Sequence, residues 1–118
     1  MKLIIAGDRN VTNINVVKRA LVKFKHEHSD FKVTEIVSGC ARGVDTLGEE
    51  IASQHKVAIK RFPADWDKYA RAAGPIRNEQ MAKYADALCA VLTKDSRGTR
   101  NMIERAKKQN LIITVMEI

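Results

Sequence analysis

Aromatic residues are scarce in this chain of 118 residues: three phenylalanines, two tyrosines and one tryptophan. A stacking platform for single-stranded nucleic acid needs several exposed aromatics, so that function starts short of material. Cysteine is rarer still. Cys40 and Cys89 stand alone with no C-x-x-C spacing, which gives neither a disulfide framework nor a zinc site. No apolar run approaches the roughly 20 residues of a membrane span. The apolar part of the opening MKLIIAGDRN is too short for a signal peptide and reads as a first strand. The expectation is a cytoplasmic protein with no membrane partner, no metal and no cofactor. His26, His28 and His55 fall near the C-terminal ends of predicted helices, where the helix dipole favours them.

What is present is enough for one domain. A 45% hydrophobic share supports a real core at this length, and residues 1–118 read as a single unit. The formal charge is +7, from 21 Lys and Arg against 14 Asp and Glu. That balance favours polyanionic partners and also keeps a protein soluble. No recognition-helix motif or basic stripe with aromatics is visible, so sequence-specific nucleic-acid binding is not expected.

Short apolar runs alternate with helical patterns, as in βαβ units. Strands are predicted at Lys2 to Ala6, Val33 to Val37, Val57 to Phe62, Ala87 to Leu92 and Leu111 to Met116. Helices are predicted from Asn13 to His28, with Thr12 or Asn13 as cap, and around Val44 to Ala52. Two more are predicted over Ile76 to Ala85 and Thr99 to Gln109. The stretch PADWDKYARAAGP reads as a long connection with a helical turn. Right-handed crossovers then give an α/β, Rossmann-like three-layer sandwich with a five-stranded, mainly parallel sheet in the order 3-2-1-4-5. Ligands in such sheets bind beside the carboxyl ends of the strands, at the switch point.

The loops at those ends carry the chemistry. SGCARGVD, from Ser38 through Cys40 and Ala41 to Asp45, joins a strand to a helix. Gly39 and Gly43 let backbone N–H groups approach an anion, the helix N-terminus adds its dipole, and Arg42 adds a planar donor fork. The alternative is a plain glycine turn capped by Asp45. In GDRN, Gly7 removes bulk at a strand end, Asp8 suits a ribose hydroxyl and Arg9 a phosphate; a self-bonded turn is the alternative. In SRGT, Gly98 and Thr99 suggest a second anion site, with Thr99 as cap and ligand, or an ordinary N-cap. Arg77 and Asn78 in GPIRN either reach a ligand or tie loops together. Five of the nine arginines (Arg9, Arg42, Arg77, Arg97 and Arg100) lie in or beside these motifs. The lysines crowd helix surfaces, and arginine is the better bidentate phosphate binder. Trp66 reads as a core anchor, or else as a base or subunit contact.

These pieces together resemble the SLOG superfamily, named for the Smf/DprA and Lonely Guy proteins. The small YspA/YpsA-related branch of bacteria and phages is the most similar. The matching pieces are GDR, SGCARGVD, FPADW, AAGPIRN and RGTRNMIERA, in that order. The resemblance implies a Rossmann-like fold and a nucleotide-derived ligand, such as ADP-ribose, bound by a sensor or sequestering module. Lonely Guy hydrolases carry P-G-G-x-G-T followed closely by a glutamate. Here DSRGTRNM puts Asn101 or Met102 there, and Glu104 comes a turn later. Smf/DprA proteins bind single-stranded DNA through a larger assembly. Three functions follow: a ligand-binding module; an N-glycosidic hydrolase or transferase whose carboxylate is Asp8, Asp45 or Glu49; and a nucleic-acid binder. A homo-oligomer is expected, paired through apolar residues of the Ile76 to Ala85 helix.

Overall fold

The computed structural model describes all 118 residues. The strands are β1 (Lys2–Gly7), β2 (Glu35–Ser38), β3 (Ala58–Arg61), β4 (Ala87–Leu92) and β5 (Ile112–Glu117). They form one sheet in the order β3-β2-β1-β4-β5. All four neighbouring pairs are parallel, which sharpens the expected mainly parallel sheet.

Strand alternation makes two cores. Leu3 and Ile5 of β1, with Ala87, Cys89 and Val91 of β4, turn to one face. There they meet Val17, Ala20 and Phe24 of helix α1 (Ile14–Glu27), and Val44, Ile51 and Ala52 of α2 (Val44–Gln54). Ile4, Ala6, Leu88 and Ala90 turn to the other face. They pack on Met81 and Ala82 of α4 (Ala73–Tyr84), and on Met102 and Ala106 of α5 (Arg97–Lys108). β4 is buried throughout, as a central parallel strand covered on both faces must be. Asn13 caps α1, its side chain accepting from the Asn15 N–H at 2.9 Å.

Three local expectations need correction. α4 starts at Ala73, three residues before the predicted Ile76, so Gly74 and Pro75 lie inside its first turn. Proline is tolerated there because those N–H groups have no intrahelical acceptor. The one-turn helix α3 (Trp66–Tyr69) and a 3₁₀ turn (Ala70–Ala72) precede it. Met81, Ala82 and Ala85 of the α4 region are buried within the monomer, so they are not a free face for a second copy. Trp66 is 57% exposed and anchors no core.

Candidate functional site

A parallel sheet aims the ends of β1, β2 and β4 at one edge, and the loops there enclose two joined hollows. The inner hollow, about 300 Å³, is lined by Gly7, Asp8, Asp45, Ser96 and Thr99, among others. The outer hollow, about 600 Å³, is lined by Gly39, Cys40, Arg42, Trp66 and Pro75, among others. Arg9, Ala41, Arg77, Asn78, Arg97 and Gly98 line both and form the junction. The carboxylates of Asp8, Asp45 and Asp95 border the inner hollow, and none borders the outer.

The glycines have different tasks. A Cβ on Gly7 would lie 2.7 Å from the Val91 carbonyl oxygen and 2.8 Å from the Val44 side chain. Its bareness therefore serves the packing of α2 against β1 and β4. Gly43 has φ +81°, and a Cβ there would lie 2.7 Å from the Arg9 Cα, so the loops after β1 and β2 touch backbone to backbone. Only Gly98 faces open space, with nothing within 4 Å of a Cβ. It stands in the first turn of α5, where the N–H groups of Gly98 and Thr99 find no acceptor in the chain. A helix start with free N–H groups is suited to an anion.

Asp8 is fully engaged. Its carboxylate accepts from Thr93 Oγ1 at 2.6 Å, Ser96 Oγ at 3.0 Å and the Asn10 N–H at 2.7 Å. The Thr93 bond above all, then the Asn10 N–H, holds its carboxyl below the usual range. Asp8 thus ties the loops after β1 and β4.

Asp45 is only 5% exposed. It lies in the first turn of α2 rather than at its cap, which is Gly43, and it accepts from the Ala41 N–H at 3.3 Å. Burial pushes its carboxyl up to about 6, against the pull of Arg77 and two backbone N–H groups. Arg77 donates to the Gly39 carbonyl and, at 2.9 Å, to Asn78 Oδ1. Burial lowers its basicity, and Asp45 opposes that. Asn78, 4% exposed, donates to the Gly98 carbonyl at 3.3 Å and to Asn101 Oδ1 at 3.0 Å. The Arg77–Asn78 pair therefore ties α4 to both the β2–α2 loop and α5.

Two candidates are not brought to the cleft. Ser38 is buried beneath its loop, donating to Glu49 Oε2 at 2.6 Å and accepting from the Cys40 N–H at 3.1 Å. Glu49 also holds Arg61 at 2.8 Å and lines neither hollow; it braces β2 and β3 instead. Thr99 is a buried first-turn residue of α5, and Ser96 takes the cap position. Cys40 lies exposed at the rim with φ 64°, and partial desolvation of its thiol, then the nearby Glu49 carboxylate, raises its pKa.

Arg9, Arg42 and Arg97 are exposed at the cleft, and none of the three makes an ion pair in the chain. The sequence reading put Trp66 first in the core, with a base contact as the alternative, and did not single out Ser96 as a cleft residue. The FPADW piece carried a signal for the first; for Ser96 the cue was its place one residue before the helix. No group of three or more His, Cys, Asp or Glu is gathered to hold a metal. No helix is long and apolar enough to cross a membrane.

No curated protein sequence matches this chain. Among solved structures, it is similar to DNA processing protein A (DprA) from Streptococcus pneumoniae, with a TM-score of 0.70 and 18% identity. That likeness covers 97% of this chain and 49% of the other, so the chain spans about half the length of that neighbour. At this identity it speaks for the fold alone. The YspA, cpYpsA-related SLOG family is matched over residues 1–69. The matched span includes GDR, SGCARGVD and FPADW, that is, β1 through α3. With more than half of its length so matched, the chain belongs to the YspA, cpYpsA-related SLOG family.

Proposed function

We propose that the cleft binds a nucleotide or nucleotide-derived ligand through its phosphate, and that the protein acts as a sensor or sequestering module for it. The observation that carries this reading is the junction of the two hollows. Arg9 and Arg97, free of ion pairs, meet there with the open Gly98 and the unpaired N–H groups of the α5 start. Charge sets the position. Asp8 and Asp95 repel an anion from the inner hollow, while the outer one has no carboxylate. Family membership agrees with a nucleotide-related role.

Turnover is the weaker reading. A glycosidic centre needs a carboxylate free to face the anomeric carbon. Asp8 has three donors on it, Glu49 braces a neighbouring strand, and Asp45 is buried against the loop. Nucleic acid is a further alternative, motivated by the +7 charge. The cleft's small volume favours a single nucleotide over a strand.

The test is a thermal-shift screen with AMP, ADP-ribose, NAD and inorganic phosphate. Binding to the folded state alone must raise the Tm. A rise with AMP or ADP-ribose that Arg97→Ala abolishes is the expected result. An unchanged Tm with every compound at millimolar concentration sinks the reading.

A further inference from the structure

We infer that Trp66 is a nucleobase-stacking subsite at the outer end of the cleft, so that a nucleotide lies with its phosphate at the Arg97–Gly98 junction and its base over the indole. This rests on the proposed function and adds to it an orientation and a second point of recognition.

Four observations carry it. Trp66 is 57% exposed, although a tryptophan left in water forfeits more apolar burial than any other side chain. More than half of this residue's surface is therefore left uncovered by the fold.

The backbone that carries the ring is also fixed. Asp65 caps the single turn of α3, its side chain accepting from the Lys68 N–H at 3.1 Å. The indole Cη2 lies 3.6 Å from where a Cβ on Gly74 would stand, so the ring tip lies beside the first turn of α4, over a glycine that leaves it room. A ring carried on a backbone ordered before binding loses less freedom on stacking.

Location supplies the third observation. Trp66 lines the same hollow as Arg9, Arg77 and Arg97, which continue into the inner one. The fourth is the character of the walls around it. Pro63, Ala64, Gly74 and Pro75 are small or apolar, and no carboxylate is among the lining residues. A flat ring beside an arginine-bordered anion site matches the two unlike ends of a nucleotide, a π-face and a phosphate.

Trp66 is the only tryptophan, so its emission reports this subsite alone. AMP and ribose 5-phosphate are titrated into the full chain by calorimetry, with tryptophan emission followed in parallel. AMP is expected to bind and quench the emission. Ribose 5-phosphate is expected to compete for the same site and leave the emission unchanged. Trp66→Ala should weaken AMP at least about fivefold, the lower end for base–aromatic stacking, and leave ribose 5-phosphate within about twofold. Trp66→Phe, which keeps a smaller ring, should retain most of the AMP affinity and guards against a folding artefact.

If AMP binds with the emission unmoved, or Trp66→Ala keeps full AMP affinity, the subsite is refuted and the phosphate reading stands. If neither compound binds, the phosphate reading itself has failed, and the subsite falls with it.

Discussion

Thr93 Oγ1 donates to the Asp8 carboxylate at 2.6 Å, across 85 residues of sequence. β1 and β4 are neighbours in the sheet, and this bond continues their pairing into the loops that follow them. Thr93→Val deletes the donor and should cost about 1–3 kcal/mol at neutral pH by urea unfolding. The Asp8 carboxyl titrates lower in the folded chain than in the unfolded one. Its contribution is therefore complete above the ordinary carboxylate range and fades as pH falls through the folded value. The difference between variant and parent should shrink as the pH is taken down through and below the ordinary carboxylate range; a loss that does not change with pH would count against the clamp.

Asp45 works in the opposite sense. Its folded value of about 6 lies above the ordinary 3.8, so the folded state holds the proton more tightly. Stability attached to this group is highest in acid and declines as pH rises from about 4 to about 6. Asp45→Asn removes the titration while keeping an acceptor for the Ala41 N–H. Urea midpoints measured across that window should fall less with rising pH in the variant than in the parent. Equal slopes would show that Asp45 ionises freely in the folded protein.

Two glycines should behave oppositely. Gly43→Ala puts a methyl against the Arg9 backbone at φ +81° and should cost more than about 1 kcal/mol. Gly98→Ala meets nothing within 4 Å. In a helical position it should stabilise by up to about 1 kcal/mol. The same methyl covers the free N–H groups of the α5 start, so AMP affinity should fall while the Tm rises. Calorimetry beside thermal melts separates the two effects.

Arginines divide in the same way. Arg9 and Arg97 have no ion-pair partner in the chain. Their alanine variants should lose roughly tenfold or more in AMP affinity with stability unchanged to within about 0.5 kcal/mol. Arg77→Ala releases the Gly39 carbonyl and Asn78 and should lower both. An Arg97→Ala protein that unfolds more easily would assign that residue to the scaffold.

How far the sequence reaches is clear from these same residues. The strand order follows from apolar runs and crossover handedness, and β1 and β4 were legible because burial on both faces leaves a continuous apolar string. The start of α4 was not. Gly74 and Pro75 read as breakers, although in a first turn neither removes a bond. Loop chemistry was half legible. The glycines and arginines announced a cleft, but the engagement of Asp8 depends on Thr93 and that of Arg77 on Gly39, 38 residues away. Such partners exist only once the sheet is assembled. The exposure of Trp66 was equally hidden, since no local pattern separates a core tryptophan from one at a rim.

Adenine release from AMP is expected to be negligible. Glu104 is exposed on α5 and lines neither hollow, so the position of the Lonely Guy glutamate has no acidic substitute. Chromatography of AMP incubated with the protein should show no free adenine above a protein-free control. Turnover on the order of one per second, abolished by Asp8→Asn or Asp45→Asn, would overturn the binding-module reading and identify the carboxylate.

The central position of β1 also matters while the chain is being made. β1 is synthesised before the other strands of this sheet, yet its β4 partner runs from Ala87 to Val91 in the register. β2 can pair with one edge of β1 at Lys2, Leu3 and Ile4 early, and β3 extends the sheet beyond β2. The other edge stays open until the ribosome has passed β4, and at roughly 5–20 residues per second that is a wait of seconds. An apolar strand with an open edge is a template for pairing with another chain. The nascent β1–β3 stretch is thus what a chaperone or a crowded polysome meets in its most adhesive form.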